Sequence, residues 1–199
     1  MEYIIVLDTE TTGLPKNMGF NNYYPPNQIS YYNTSRMIEL AWMVFDKNGN
    51  EIKKQSYLIK STGFNIPTEA TNIHHITDEM LNNQGTDLEK VFELFYNDLK
   101  DCKTIVAHNK LFDLNIISSE CFRLDNNTSQ LIIEKLKTCE TQCTMELCKQ
   151  SKVWNKQKLP KLSETYQCLY PNTELPVLHR ALQDVETCSK CFFKLMLII

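Results

Sequence analysis

The sequence predicts an α/β protein in which one layered sheet is covered by helices on both faces. Three observations carry that prediction. Ile4 to Leu7 form an unbroken apolar run of the kind that fills a strand buried on both sides. Two further strand-like stretches follow, MIELAWMVFD (37–46) and IKKQSYLIK (52–60), joined by a KNGN turn at Lys47 to Asn50. Beyond them, helical periodicities alternate with a short buried strand, the order expected of a sheet layered between helices.

Taken in order, the first three strands read as an antiparallel meander. Between the first two lie residues 15–35 (PKNMGFNNYYPPNQISYYNTS), rich in Asn, Tyr and Pro with little periodicity. This is a long surface loop, of a length usually functional or mobile. Thr86 and Glu89 make a capping box for a helix near 87–100, with Leu88, Val91, Phe92, Phe95 and Leu99 along one face. TIVAH (104–108) is a short buried strand, and a helix runs from about Lys110 to Phe122. The stretch 123–142 admits a strand and a short helix, whereas TMELCKQ (144–150) and KLSETYQCLY (161–170) read as helices. LHRALQDVETCSKCFFKLMLI (178–198) supplies a long C-terminal helix. No repeat, charge block or Gly/Ser linker divides the chain, so residues 1–199 read as one domain.

Composition narrows the class. Apolar content of 42% with 23% charged residues is ordinary for a soluble globular protein. The N-terminal apolar run is too short for a signal segment or a membrane span, so the expectation is an intracellular protein, cytoplasmic or nuclear, without a membrane partner. A net charge of −3 argues against holding nucleic acid by bulk electrostatics, but not against gripping a nucleic-acid end through metal ions. The eight cysteines read as reduced thiols. Cys188 and Cys191 form a lone CxxC on the same helical face as Asp184 and Leu195, which favours core packing over zinc.

The carboxylates are the unusual feature. Asp8 and Glu10 follow the first strand's apolar run one residue apart, so both point to one side of an extended chain. Asp113 lies one turn into the helix launched from the 104–108 strand, and Asp184 lies on the core face of the last helix. Each alone has a bland explanation: a strand-end cap for Asp8, an exposed helix position for Asp113, an i+4 pairing with Arg180 for Asp184. Four acids aimed inward from three distant segments argue instead for hard divalent cations, Mg²⁺ or Mn²⁺. His179 precedes Asp184 by five positions and on one regular helix would diverge from it by about 140°. To share a site it must sit at the helix start or in the preceding loop, and Pro176 supports a break there. An imidazole beside a metal cluster can accept a proton from water near neutral pH. An exposed histidine at a helix start is the plain alternative.

DTETTG, then IVAHNxxFD, then HxAxxD, in that order, resemble the DEDDh (DnaQ-like) 3′–5′ exonucleases, a group that includes the proofreading epsilon subunit of bacterial DNA polymerase III and RNase T. EATNIHHIT resembles that family's EA…hHGIT segment, and the likeness spans residues 4 to about 195. The resemblance implies a ribonuclease H-like fold, with a central mixed five-stranded sheet, its first three strands antiparallel, and helices on both faces. It implies that Asp8, Glu10, Asp113 and Asp184 hold two metal ions and that His179 is the general base. It further implies that Thr11 and Gly13 bring backbone close to the terminal nucleotide and that Glu69 binds the terminal 3′-hydroxyl or sugar. His74 would contact the terminal nucleotide, and Asn109 and Phe112 would shape the pocket beside Asp113. Two metals could then activate water and steady the leaving 3′-oxygen, releasing nucleoside 5′-monophosphates.

This chain departs from the family pattern in three places. His75 stands where Gly is usual, 15–35 is long enough to form a lid, and Cys143-Thr144 replaces Asp-Thr. The lysine-rich KQSKVWNKQKLPK (149–161) offers a track for a strand with Trp154 stacking a base, or equally a solvated loop around a partly buried Trp. The four tyrosines of 15–35 carry the same two readings. The leading expectation is an exonuclease on single-stranded or frayed DNA ends, alone or beside a DNA polymerase. RNA or short oligoribonucleotides are the alternative substrate, because recognition of the 2′-OH depends on pocket shape. A nucleic-acid-binding module without activity is the rival from another class, and zinc through His74, His75 and cysteines would leave the motif acids idle.

Overall fold

A computed structural model describes residues 3–19 and 21–199. Its sheet has five strands in the order β3-β2-β1-β4-β5. Strand β1 (Tyr3–Thr11) pairs antiparallel with β2 (Met37–Phe45), and β2 with β3 (Glu51–Leu58). Strands β4 (Cys102–Ala107) and β5 (Glu140–Cys143) add in parallel on the other side of β1. The meander and the buried fourth strand are as the sequence predicts. The ambiguous stretch resolves into a helix and then the short β5.

The described residues also form eight α-helices: α1 (Thr68–His74), α2 (Asp78–Gln84), α3 (Leu88–Leu99), α4 (Lys110–Leu124), α5 (Asn127–Thr138), α6 (Thr144–Gln150), α7 (Leu162–Leu169) and α8 (Ala181–Met196). Side-chain alternation along the strands divides the core in two. Ile5, Leu7, Leu40 and Trp42 pack on α3, α4 and α5 through Phe92, Phe95, Ile116 and Ile132. Val6, Ala41, Met43 and Val106 pack on α8 and its neighbours through Val185, Cys188, Cys191 and Leu195. Burying both faces explains why all nine residues of β2 are buried, Glu39 included. The eight cysteines are free thiols, six of them buried, and the lone CxxC lies in the core. No helix among the described residues is long and apolar enough to cross a membrane.

One local expectation is corrected. The Thr86–Glu89 capping box does not form: Thr86 is held extended against Ile59, its N–H on Leu58 O at 2.8 Å and its carbonyl taking the Lys60 N–H at 3.0 Å. Helix α3 therefore starts one residue later with Asp87 at its N-cap, and Glu89 accepts from Asn126 Nδ2 instead. Gly85 permits the crossing, since a Cβ there would stand 2.8 Å from the Lys60 backbone. The described residues of the 15–35 segment are braced against the body of the protein. Tyr32 is fully buried in the core, Tyr24 and Tyr31 stack at 3.8 Å, and Arg123 Nη2 donates to Ile29 O and Asn33 Oδ1, both at 2.8 Å.

Candidate active site

The site forms where β1 outruns its parallel neighbour. The β1–β4 ladder ends at Val6 and Val106, so from Leu7 to Thr11 the strand is paired only with β2. The chain leaves β4, turns through Asn109 in the left-handed conformation (φ 65°) and enters α4 in the gap, at the carboxyl end of the parallel strands where such sheets open a crevice. One turn on, Asp113 Oδ1 accepts from Thr9 N at 2.9 Å and from Thr9 Oγ1 at 2.8 Å, filling the place of the missing strand.

Alternation turns Asp8 and Glu10 to the other face, the one shared by Val6 and Ala41 and covered by α8. Asp184 lies in the first turn of α8. Oxygen atoms of Asp8, Glu10 and Asp184 all lie within 4.8 Å of one another, and Asp113 stands alongside that trio rather than within it.

The electrostatics follow from this crowding. Burial, and then the charges of Asp113, Asp184, Glu10 and Glu39, push the Asp8 carboxyl well above the usual carboxylate range. Glu10 is pushed up to about 8 by burial and by Asp184, Glu39 and Asp113, with Arg180 opposing. Burial raises Asp113 to about 7 against the two Thr9 hydrogen bonds, and Asp184 to about 6 against the His179 backbone N–H and imidazole beside it.

His179 meets the condition that its spacing sets. It is exposed with φ 74°, immediately before the Arg180 N-cap, and its N–H points at Asp184 Oδ1 and Oδ2 at 3.3 and 3.4 Å. The bland alternative for Asp184, an i+4 pairing with Arg180, does not form. The guanidinium is turned to Glu39, with Nε–Oε2 at 3.0 Å and Nη2–Oε1 at 2.9 Å, because Glu39 is the buried acid within its reach.

The remaining predicted residues scatter more widely. Thr11 is buried with Oγ1 on Gly13 O at 2.7 Å, and Gly13 has φ +153° with room for a Cβ only 3.0 Å from Thr34 O. Gly13 is thus needed for the approach of residues 34–36, which also bond Thr12. Glu69 is exposed in the first turn of α1, outside the carboxylate trio. His74 is buried, Nδ1 taking the Ile76 N–H at 3.0 Å and Nε2 lacking a hydrogen-bond partner. His75 caps α1 in the left-handed conformation and is exposed, so replacing Gly there strains the backbone rather than crowding a pocket. Asn109 Oδ1 is buried without a partner, and the Phe112 ring meets Tyr23 edge-on at 6.3 Å. With Leu14, Asn17 and Asn21 these three line a cavity of about 330 Å³.

Two readings of the lysine-rich stretch are now separable. Trp154 is buried with Nε1 on Lys158 O at 2.7 Å and Lys156 over its ring at 4.9 Å, so it packs the loop and offers no face to a base. Glu164 takes Lys158 at 2.6 Å. Sequence reasoning missed Glu39, Arg180, Thr9 and His108. The last ties β4 to α6 and the loop before α7 through Thr144 Oγ1 at 2.9 Å and Pro160 O at 3.1 Å, its pKa lowered to about 4 by burial.

Comparison with known proteins places the chain in a family. Residues 5–192 match the family RNase_T, described as exonuclease. DNA polymerase III subunit epsilon of Buchnera aphidicola subsp. Schizaphis graminum is 32% identical over 139 residues, 67% of this chain and 54% of that protein. The Treponema pallidum subunit epsilon is 30% identical over 113 residues, covering 57% and 43%. The chain thus spans about half the length of these relatives. Among solved structures, exonuclease X in complex with 5′ overhanging duplex DNA superposes with TM-score 0.58 at 22% identity, covering 97% of this chain and 90% of that one. Escherichia coli exonuclease I in complex with a dA16 oligonucleotide gives TM-score 0.69 at 14% identity, covering 98% and 41%. At these identities the likeness is one of fold, the ribonuclease H-like sheet and helices described above.

Proposed function

The chain belongs to the exonuclease family RNase_T, and within it we propose a divalent-metal-dependent 3′–5′ exonuclease that removes nucleoside 5′-monophosphates from single-stranded or frayed DNA. One observation carries this reading: carboxylate oxygens of Asp8, Glu10 and Asp184 converge within 4.8 Å, with Asp113 beside them.

The donor set fits hard cations. It is all oxygen, and oxygens this close can share an ion with bonds of about 2.0–2.6 Å. The nearby cation, Arg180, is engaged by Glu39 and offsets the charge of Glu10 only in part. Asp8, Glu10, Asp113 and Asp184 would therefore hold two Mg²⁺ or Mn²⁺ ions. Bound there, such ions lower the pKa of the attacking water and offset charge on the leaving oxygen.

The chain's own residues do the rest. His179 accepts a proton as the water oxygen attacks phosphorus, the P–O3′ bond breaks, and the new 3′-oxygen takes a proton from solvent. Thr11 and Gly13 offer backbone to the terminal nucleotide, and Asn109 and Phe112 shape the pocket beside Asp113. The buried Asn109 Oδ1, without a hydrogen-bond partner, supports that role, and His74, beside the Thr11 backbone, would contact the same nucleotide. Glu69 reaches the 3′-hydroxyl or sugar. The reading takes 1–199 as one exonuclease domain, cytoplasmic or nuclear. The epsilon relatives support a polymerase partner, and the DNA-bound neighbours support DNA over RNA.

The test supplies 5′-labelled single-stranded DNA and RNA with Mg²⁺, Mn²⁺ or EDTA. The expected result is a ladder shortening from the 3′ end, faster on DNA, absent in EDTA and with Asp8→Ala. Binding without cleavage in the presence of metal would overturn the proposal.

A further inference from the structure

Glu39 on β2 sits directly opposite Glu10 on β1, yet its chemistry differs from that of the carboxylate trio. Each of its oxygens is already engaged. Oε1 accepts from Ser56 Oγ at 3.0 Å and Arg180 Nη2 at 2.9 Å; Oε2 accepts from Arg180 Nε at 3.0 Å and Ala181 N at 3.0 Å. Its side chain is 2% exposed. Four donors saturate a carboxylate, so Glu39 has no lone pair to spare for a metal ion.

What it holds is the start of α8. Helix N-termini leave amides without intrahelical partners, and a Ser, Thr, Asp or Asn at the N-cap usually meets one of them. The N-cap here is Arg180, which has no oxygen to offer and makes no capping bond. The first helical amide, that of the fully buried Ala181, is met instead by a carboxylate from β2, 142 residues away in sequence. The bidentate grip on Arg180 fixes the preceding residue as well. Directly before it, His179 is held at φ 74°, a conformation that a residue with a side chain keeps where its neighbours enforce it.

We infer that Glu39 is a positioning residue: its clamp on Arg180 and the Ala181 N–H sets where the His179 imidazole stands relative to the β1 carboxylates. The inference rests on the exonuclease reading. It identifies a buried acid beside the site whose task is to place the general base, while the metal is left to its neighbours.

The experiment measures kcat and KM for nucleotide release at saturating Mn²⁺ in Glu39→Gln and Arg180→Gln, each in wild-type and His179→Ala backgrounds, with melting temperature as a check on folding. In the wild-type background both variants should lose roughly 10–100-fold in kcat, the size of effect expected from misplacing a catalytic group by about 1 Å, with KM nearly unchanged. In the His179→Ala background neither should cost anything further, because the group they position is gone. A purely structural role would cost the same in both backgrounds and overturns the inference, as does wild-type kcat in Arg180→Gln. Should Glu39→Gln fail to fold, the half-exposed Arg180→Gln carries the comparison alone. A wild-type protein releasing no nucleotide overturns the function reading itself, whereas an active wild type with additive losses overturns only this role.

Discussion

Raising the pH of the metal-free protein from 5 to 8 should destabilise it. Glu10 is held up to about 8, Asp113 to about 7 and Asp184 to about 6, with Asp8 well above its ordinary range. In the unfolded chain these carboxyls titrate near ~4. A folded-state pKa raised above the unfolded one means the folded protein binds protons the unfolded chain has released. The associated stability is complete below about pH 4 and is lost as pH rises through the folded values. Each proton held only by the folded state costs about 1.4 kcal/mol of stability per pH unit gained. The four carboxyls hold about two to four such protons across pH 5.5–7.5, and the buried His108 and His74, both held below the usual imidazole range, offset up to about two of them near pH 5.5. A net of about two gives about 3 kcal/mol per unit, or roughly 6–11 °C in melting temperature for a chain of this size. Mn²⁺ competes with those protons, so its stabilisation should grow with pH. Thermal denaturation followed by circular dichroism at pH 5.5, 6.5 and 7.5, in EDTA and in Mn²⁺, reads both effects. A melting temperature in EDTA that stays level or climbs over that range would refute the reasoning. So would an Mn²⁺ increment independent of pH.

Three other outcomes are expected. His179→Ala should lower turnover by about 10²–10⁴ with Mn²⁺ affinity retained, read by single-turnover kinetics and calorimetric titration; wild-type turnover would remove it from the mechanism. Gly13→Ala should destabilise by about 1–3 kcal/mol in urea titration, since φ +153° and a 3.0 Å approach to Thr34 O leave no room for a Cβ without strain; an unchanged midpoint would contradict that geometry. Trp154→Phe should cost about 1 kcal/mol of stability through the lost bond to Lys158 O while leaving oligonucleotide affinity unchanged; weaker binding at equal stability would restore a stacking role.

The sheet and the larger helices were legible because burial writes a period into the sequence. The apolar run of β1 and the Leu88–Leu99 stripe of α3 are read directly. Helices α1 and α2 were not. They are seven residues each and owe their place to a small cluster of Ile38, Ile66, Ala70, Ile76 and Leu81, which no local period reveals. At the site, alternation put Asp8 and Glu10 on one side and helical facing turned Asp184 inward, while their meeting within 4.8 Å belongs to the fold. Glu39 also left a trace, as a charge inside nine consecutive buried residues, but its partner lies 141 positions away and only the fold joins them. The fate of Trp154 was invisible for a related reason: nothing in a lysine-rich run tells whether its indole N–H faces water or a carbonyl.

Counting bound Mn²⁺ by electron paramagnetic resonance, in the presence of a nucleoside 5′-monophosphate, tests the central claim most directly. Two ions per chain, both lost or severely weakened in Asp8→Ala and Asp184→Ala, is the predicted result. No tight site in the wild type, or binding indifferent to Asp8→Ala, would contradict the account.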